Sequence, residues 1–125
     1  MKVYCGTDII EIDRIQESIE SLGEKFLNKI YTKSEIEYCE QRKKMKYQHY
    51  AARFAAKEAV FKALSNLLEN KFDLLWNNIE ILKDKQGRPL VNLINIQINS
   101  ISQIDISLSH CQKYATASVV VIAEK

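Results

Sequence analysis

The chain has 125 residues, 46% of them hydrophobic and 27% charged, and its formal net charge is +2. This length predicts one compact domain, residues 1–125, which can bury a core without disulfides or a structural metal. So balanced a charge excludes a protein that coats nucleic acid or lipid headgroups, and a content of 3 Gly and 1 Pro excludes a disordered or collagen-like chain.

The cysteines and the first residues indicate the compartment. Cys5, Cys39 and Cys111 are odd in number and widely spaced, so neither a disulfide framework nor a zinc site is expected. The sequence has no long apolar run, and MKVYCGTDII reaches an acidic residue too early for a signal peptide. We therefore expect a cytoplasmic protein with no membrane partner.

The first half of the chain is predicted to be mainly helical. Residues 2–12 are rich in β-branched and aromatic side chains, which predicts a strand. Thr32 followed by Glu35 is a capping-box signal that marks the start of a helix. Apolar residues at helical spacing predict four helices, at residues 13–22, 26–30, 32–42 and 48–69.

The second half is predicted to be strands. Apolar and polar residues alternate over 78–83 and 104–110, and a run of Ala and Val over 113–123 is typical of a buried strand. The polar run 84–89 predicts a turn, while residues 90–98 fit either a strand or an irregular edge. Helices followed by antiparallel strands predict an α+β fold.

The long helix carries the first candidate site. Its large apolar residues, which are expected to pack on the sheet, are Tyr50, Phe54, Phe61, Leu64 and Leu68. Glu58, Lys62 and Ser65 follow one edge of that stripe, while Lys57 falls near its middle. Glu58 and Lys62 fit either a surface ion pair or charged groups in a cleft, and Lys57 either extends past its neighbours to solvent or binds a partner.

Two strand ends carry the other candidates. Asp8, after Gly6 and Thr7, is either a turn residue or an oxygen ligand for a hard cation such as Mg²⁺, with Glu58 as the second carboxylate. His110 follows two serines, but neither serine lies in a GxSxG motif, so a hydrolase is not indicated. His110 is either a polar strand end or a hydrogen-bond donor to an anion.

Together these segments resemble one family. GTDIIEIDRI, RFAAKEAVFKAL, the GRP turn and ISLSH before YATASVVV resemble the holo-acyl-carrier-protein synthases, the small AcpS-type 4′-phosphopantetheinyl transferases. The resemblance covers nearly the whole chain. It implies an α+β fold with one long helix packed on an antiparallel sheet and short N-terminal helices. It also implies a homotrimer with shared active sites.

The resemblance further implies an activity. Family members transfer 4′-phosphopantetheine from coenzyme A to a serine of apo-acyl carrier protein, releasing adenosine 3′,5′-bisphosphate, in support of fatty acid biosynthesis. Asp8 and Glu58 would hold Mg²⁺, Glu58 would take the serine proton, and Lys62 would neutralise the leaving phosphate. The implied coenzyme A contacts are Arg53, Lys57, Lys62, Ser65 and His110. In this branch the strand-end His comes from a neighbouring subunit.

Basic residues near the N-terminus would bind the carrier protein, namely Arg14, Lys25 and Lys29. Lys57 would contact phosphate or hold a neighbouring carboxylate. The chain departs from the family after the long-helix motif, because it has Ser65 and Asn66 where relatives have a Gly-rich segment. We expect the helix to continue there, and Ser65 and Asn66 to replace the missing backbone contacts.

Two alternatives stay open. The missing glycines also fit a catalytically impaired module that binds coenzyme A or a carrier protein. The basic cluster at residues 42–46 could bind RNA, but no stacking aromatic residues are organised beside it in the sequence, and no nucleic-acid partner is expected.

Overall fold

The computed structural model describes residues 1–70 and 73–124. The first half forms a strand followed by four helices: β1 (Lys2–Glu11), α1 (Ile12–Leu22), α2 (Glu24–Ile30), α3 (Lys33–Glu40) and α4 (Lys46–Leu64). Gly23 separates α1 from α2 with φ 59°, a conformation that glycine adopts readily. The capping box is confirmed, since Thr32 Oγ1 accepts from the Glu35 amide while Glu35 Oε1 accepts from the Thr32 amide.

The long helix ends earlier than predicted. α4 stops at Leu64, and a 3₁₀ turn, Ser65–Leu67, follows it, so the expectation that the helix continues to residue 69 is wrong. The Ser65 hydroxyl donates a hydrogen bond to the Lys62 carbonyl oxygen at 2.9 Å. Such a local bond competes with the helical pattern, which accounts for the change of backbone geometry at this point.

The second half supplies four strands: β2 (Ile79–Lys83), β3 (Pro89–Leu93), β4 (Ile101–His110) and β5 (Tyr114–Ala123). β5 lies between β1 and β4 in an antiparallel sheet, and β2 and β3 form a separate hairpin. The α+β prediction is confirmed. Over residues 90–98 only the first part is a strand, because Asn95 adopts φ 56°, in the left-handed region that interrupts extended backbone.

Helix α4 packs directly on β1 and β5 through small residues. Its buried positions against the sheet are mostly alanines: Ala55, Ala56, Ala59 and Ala63. Phe54 and Phe61 instead lie at the side of the helix against Trp76, with ring centroids at 5.0 Å and 5.4 Å. The prediction that the large apolar stripe packs on the sheet is therefore wrong for these two rings.

Gly6 sets how closely β1 approaches α4. A Cβ atom at Gly6 would overlap the Ala59 carbonyl oxygen and lie 2.8 Å from the Ala63 amide nitrogen. Any side chain at residue 6 would push the strand away from the helix. Because Asp8 is on the same face of β1 two residues further on, this close approach also fixes the distance of Asp8 from α4.

The remaining helices form a second core against the N-terminal half of α4. Tyr31 and Tyr50 are buried there, with ring centroids 4.9 Å apart, and the Tyr31 hydroxyl donates to the Tyr50 carbonyl oxygen at 2.8 Å. This core anchors α2 and α3 beside the long helix. Among the residues that the structure describes, no helix combines the length and apolar character needed to cross a membrane.

Candidate active site

Asp8, Glu58 and Lys62 meet where β1 crosses α4. Lys62 Nζ lies 3.2 Å from Asp8 Oδ1 and donates to the Thr7 carbonyl oxygen at 2.9 Å. Glu58 lies one helical turn before Lys62, on the same side of α4. The structure thus brings together three of the residues that the sequence analysis selected from segments fifty residues apart.

The electrostatics of this group favour a bound cation. Partial burial raises the pKa of the Glu58 carboxyl, the nearby negative charge of Asp8 raises it further, and Lys62 opposes the shift. Two carboxylates that repel each other are stabilised by a cation between them. Carboxylate oxygens are the donors that Mg²⁺ prefers, with its other positions taken by water and substrate phosphate, so this pair fits such an ion. Residues 1–70 and 73–124 contain no cluster of three or more possible protein ligands.

A cleft of about 790 Å³ opens beside these residues. Its polar lining consists of Glu58, Lys62 and Ser65 with Lys29 of α2. Its apolar lining consists of Phe61 of α4 with Leu68, Leu74, Leu75 and Trp76. The cleft therefore suits a ligand that combines an anionic group with a long, mainly uncharged chain.

A second cleft, of about 200 Å³, contains the other predicted anion ligands. Arg53 of α4 and His110 at the end of β4 both line it, together with His49 and Lys83. Arg53 is 3% exposed, and its Nε atom is buried without a hydrogen-bond partner. Among the residues described, the two clefts have no lining residue in common, so Arg53 and His110 line a different cleft from Glu58 in the single chain.

Lys57 faces the interior and not either cleft. Its Nζ atom is fully buried, lies 2.7 Å from Glu35 Oε1, and donates to the carbonyl oxygens of Ile79 at 2.6 Å and Trp76 at 3.1 Å. These contacts use all three donors of the ammonium group. The expectation that Lys57 binds coenzyme A is therefore wrong in this structure, whereas the alternative, that it holds a neighbouring carboxylate, describes its position.

The residues expected to bind a carrier protein are exposed. Arg14 lies on α1, and Lys25 and Lys29 lie one turn apart on α2. Lys29 reaches the edge of the larger cleft, so a partner bound to this surface would lie beside Glu58 and Lys62. The structure thus connects the basic surface to the cleft through a single residue, Lys29.

Several site residues were missed by the sequence analysis. Leu74, Leu75 and Trp76 line the larger cleft, and the signal that could have found them is their apolar run directly after Asp73. His49 and Lys83, which line the smaller cleft, were missed, and so was Tyr38, whose ring lies beside Arg53 and Lys83. The expectation that no aromatic ring is organised beside residues 42–46 is also wrong, because Arg42 lies over the Tyr38 ring and Lys46 over the Tyr47 ring. Because basic side chains of residues 42–46 themselves lie over the Tyr38 and Tyr47 rings, these faces are not open for stacking with bases.

Comparison with known proteins places this geometry in a family. The model of the 4′-phosphopantetheinyl transferase superfamily matches residues 4–119. A holo-[acyl-carrier-protein] synthase of Ruminiclostridium cellulolyticum is 48% identical, over 97% of this chain and 92% of the relative. The synthase of Protochlamydia amoebophila is 45% identical, over 96% and 98%.

A solved structure agrees with the sequence relatives. The crystal structure of Helicobacter pylori holo-[acyl-carrier-protein] synthase in complex with coenzyme A has a TM-score of 0.81 to this fold at 34% identity, covering 94% of this chain and 99% of that one. Sequence match and fold thus lead to the same conclusion, and the chain belongs to the holo-[acyl-carrier-protein] synthase family within the 4′-phosphopantetheinyl transferase superfamily.

Proposed function

We propose that this protein transfers the 4′-phosphopantetheine group of coenzyme A to a serine of apo-acyl carrier protein, which gives holo-acyl carrier protein for fatty acid biosynthesis and adenosine 3′,5′-bisphosphate. The observation that carries the proposal is that Asp8, Glu58 and Lys62 meet where β1 crosses α4, and that Glu58 and Lys62 line a partly apolar cleft of about 790 Å³. That cleft matches a substrate with a pyrophosphate at one end of an extended pantetheine chain. The family relatives carry the name of this activity.

The reaction is the attack of a hydroxyl oxygen on a phosphorus atom of the pyrophosphate. Glu58 accepts the serine proton, because its carboxylate lines the cleft beside Lys62, where the pyrophosphate would bind. The new serine O–P bond forms as the P–O bond to the nucleotide breaks. Lys62 places its positive charge beside the leaving phosphate oxygen, which lowers the barrier by neutralising the developing negative charge.

Asp8 and Glu58 are the residues that would hold Mg²⁺. When bound, such an ion supplies Lewis-acid polarisation of the phosphate oxygens. Asp8 Oδ1 lies 3.2 Å from Lys62 Nζ, so the positive charge of Lys62 also reduces the repulsion between the carboxylates of Asp8 and Glu58. Asp8 is held in place by the close packing of β1 on α4 at Gly6.

The Asp8→Asn variant tests the metal proposal. We expect the Mg²⁺ concentration that gives half-maximal activity to rise about tenfold or more, since one charged oxygen ligand is lost. The measurement is a titration of transfer rate against Mg²⁺ at saturating coenzyme A. Asp13→Asn removes an exposed carboxylate on α1 and should leave the titration unchanged. An Asp8→Asn curve that superimposes on wild type contradicts the assignment.

We also propose that the active site lies between subunits of a homotrimer. Arg53 and His110 are the expected ligands of the nucleotide 3′-phosphate, yet they line a cleft separate from Glu58. The sheet face opposite α4 exposes apolar side chains, with Val3 and Ile9 each 62% and Val120 44% exposed. Other copies of this chain would cover that face and bring one subunit's Arg53 to the next subunit's Glu58.

Complementation tests the shared site. At a coenzyme A concentration well below KM, where losses of kcat and of binding both lower the rate, Glu58→Gln and Arg53→Met trimers should each have little activity alone. Co-expressed in equal amounts they should recover about a quarter of the wild-type rate, because random assembly gives that share of sites with both residues intact. The measurement is the transfer rate of purified mixed trimers. A mixture no more active than the average of the two variants contradicts sharing.

Three further points complete the proposal. Arg14, Lys25 and Lys29 form the docking surface for the acidic carrier protein, and Lys29 brings it to the cleft.

Residues 1–125 act as one domain, since α4 contacts strands from both ends of the chain. The reaction takes place in the cytoplasm, where the free thiols of Cys5, Cys39 and Cys111 are maintained.

The function itself is tested by product release. Chromatography should detect adenosine 3′,5′-bisphosphate only when coenzyme A, Mg²⁺ and apo-acyl carrier protein are all present. A carrier protein whose acceptor serine is replaced by alanine is the control. Binding of coenzyme A without release would instead support the impaired binding module, which the absence of glycine at the Ser65–Leu67 turn allows.

A further inference from the structure

Tyr38 of α3 lies at the centre of a group of positive charges. The guanidinium carbons of Arg42 and Arg53 each lie 4.1 Å from the centroid of its ring, and Lys83 Nζ lies at 5.0 Å. Two guanidinium groups at that distance cannot share one face of a ring, so the ring is held between them. His49 approaches the same ring edge-on, with centroids 5.5 Å apart.

In the part of the chain that the structure describes, these cations have no acidic partner within ion-pair distance. Within residues 1–70 and 73–124, the carboxylates that lie within ion-pair distance of a basic group pair with Lys46, Lys57 and Lys62, and none pairs with Arg42, Arg53 or Lys83. Arg53 is almost fully buried, and its Nε–H lacks a hydrogen-bond acceptor. The positive charge of the cluster would be stabilised by an anion that binds at its exposed members, Arg42 and Lys83.

The titration of neighbouring groups reflects the same positive potential. Burial lowers the pKa of the His49 imidazole to about 4, and the charges of Arg53, Lys83 and Arg42 contribute to this shift. Partial burial would by itself raise the pKa of the Tyr38 phenol, but hydrogen bonding from Lys83 and Arg42 and their charges make the net shift downward. Both shifts indicate a pocket whose positive charge is not neutralised by the protein.

We propose that Tyr38 is a positioning residue that fixes Arg42, Arg53 and Lys83 as a receptor for a phosphate monoester dianion. The inference rests on the proposed function, in which that dianion is the 3′-phosphate of coenzyme A. Without the ring, three mutually repelling cations on long side chains would separate in solvent. Tyr38 thus makes the enzyme distinguish coenzyme A from 3′-dephospho-coenzyme A.

The test compares Tyr38→Leu and Tyr38→Phe with wild type on both coenzymes. We expect Tyr38→Leu to raise KM for coenzyme A about tenfold and to leave kcat unchanged. A tenfold change corresponds to the loss of roughly one charge-assisted hydrogen bond to the phosphate. KM for 3′-dephospho-coenzyme A should not change. Tyr38→Phe keeps the stacked ring and should restore most of the discrimination. Tyr47→Leu, which removes a ring that lies under Lys46 outside this cluster, is the matched control.

A purely structural role gives a different result. Equal losses on both coenzymes, or a loss of kcat alone, would overturn the inference. If Tyr38→Leu does not fold, Arg42→Ala at an exposed position carries the same expectation. Calorimetric binding of adenosine 3′,5′-bisphosphate separates the receptor from the proposed transferase activity. If Tyr38→Leu weakens this binding, the receptor is supported even when the wild-type protein transfers nothing. Wild type that binds adenosine 5′-monophosphate equally well contradicts the receptor.

Discussion

Replacing Glu58 with Gln is expected to lower kcat by about a thousandfold, because the variant loses the group that we propose accepts the serine proton. Glutamine has nearly the same shape as glutamate, so helix α4 and the cleft should remain intact. The measurement is the transfer rate at saturating coenzyme A, apo-acyl carrier protein and Mg²⁺. Glu37→Gln, an exposed position on α3, is the matched control and should have wild-type activity.

The pH dependence of wild type provides an independent check of Glu58. The base must be ionised to accept a proton, so kcat should fall as pH falls through the pKa of Glu58. Burial and the charge of Asp8 raise that pKa in the metal-free protein, and a bound Mg²⁺ opposes the shift, so the acidic limb should move to lower pH as the Mg²⁺ concentration is raised. Glu58→Gln should lack this limb. Loss of less than about tenfold in kcat, with the acidic limb retained, would remove Glu58 from the chemistry.

Replacing Lys57 with Met is expected to lower the free energy of unfolding by about 3–5 kcal/mol. The Lys57 and Glu35 side chains are both 0% exposed, so the variant leaves a carboxylate in the core without its counter-ion. Two carbonyl oxygens, those of Ile79 and Trp76, lose their donor as well. Urea denaturation followed by circular dichroism measures the change.

Two further variants show whether the loss of stability in Lys57→Met comes from the buried ion pair. Lys46→Met breaks the partly exposed ion pair with Glu40 and should cost less than about 1 kcal/mol. Adding Glu35→Gln to Lys57→Met removes the uncompensated charge, while an amide oxygen remains for the Ile81 amide, so part of the stability should return. If Lys57→Met costs no more than Lys46→Met, the ion pair does not stabilise the core as described.

The sequence predicted local features better than long-range ones. The capping box at Thr32 and Glu35 was confirmed, because the residues that make it are neighbours along the chain. The edge of α4 that carries Glu58 and Lys62 followed from helical periodicity. Asp8 could be proposed as their partner, but its contact with Lys62 depends on the close packing at Gly6, which no pattern in the sequence revealed.

The errors have physical reasons. Lys57 was predicted to contact coenzyme A because the sequence could not show its actual partners. These are Glu35 and the carbonyl oxygens of Trp76 and Ile79, which lie in distant segments of the chain. Phe54 and Phe61 were predicted to pack on the sheet because large apolar side chains are usually buried. The helix instead contacts the sheet through alanines, because only small side chains allow the two elements to approach closely. The charges around Tyr38 come from separate elements, so only the folded chain brings them together.

The central claim is that this chain moves phosphopantetheine from coenzyme A to a carrier-protein serine at the Asp8–Glu58 site. Intact-protein mass spectrometry of apo-acyl carrier protein, incubated with the enzyme, coenzyme A and Mg²⁺, tests it most directly. We predict the added mass of one phosphopantetheine group on the acceptor serine with wild type and almost none with Glu58→Gln. Unmodified carrier protein after incubation with a wild-type enzyme that binds coenzyme A would contradict the claim.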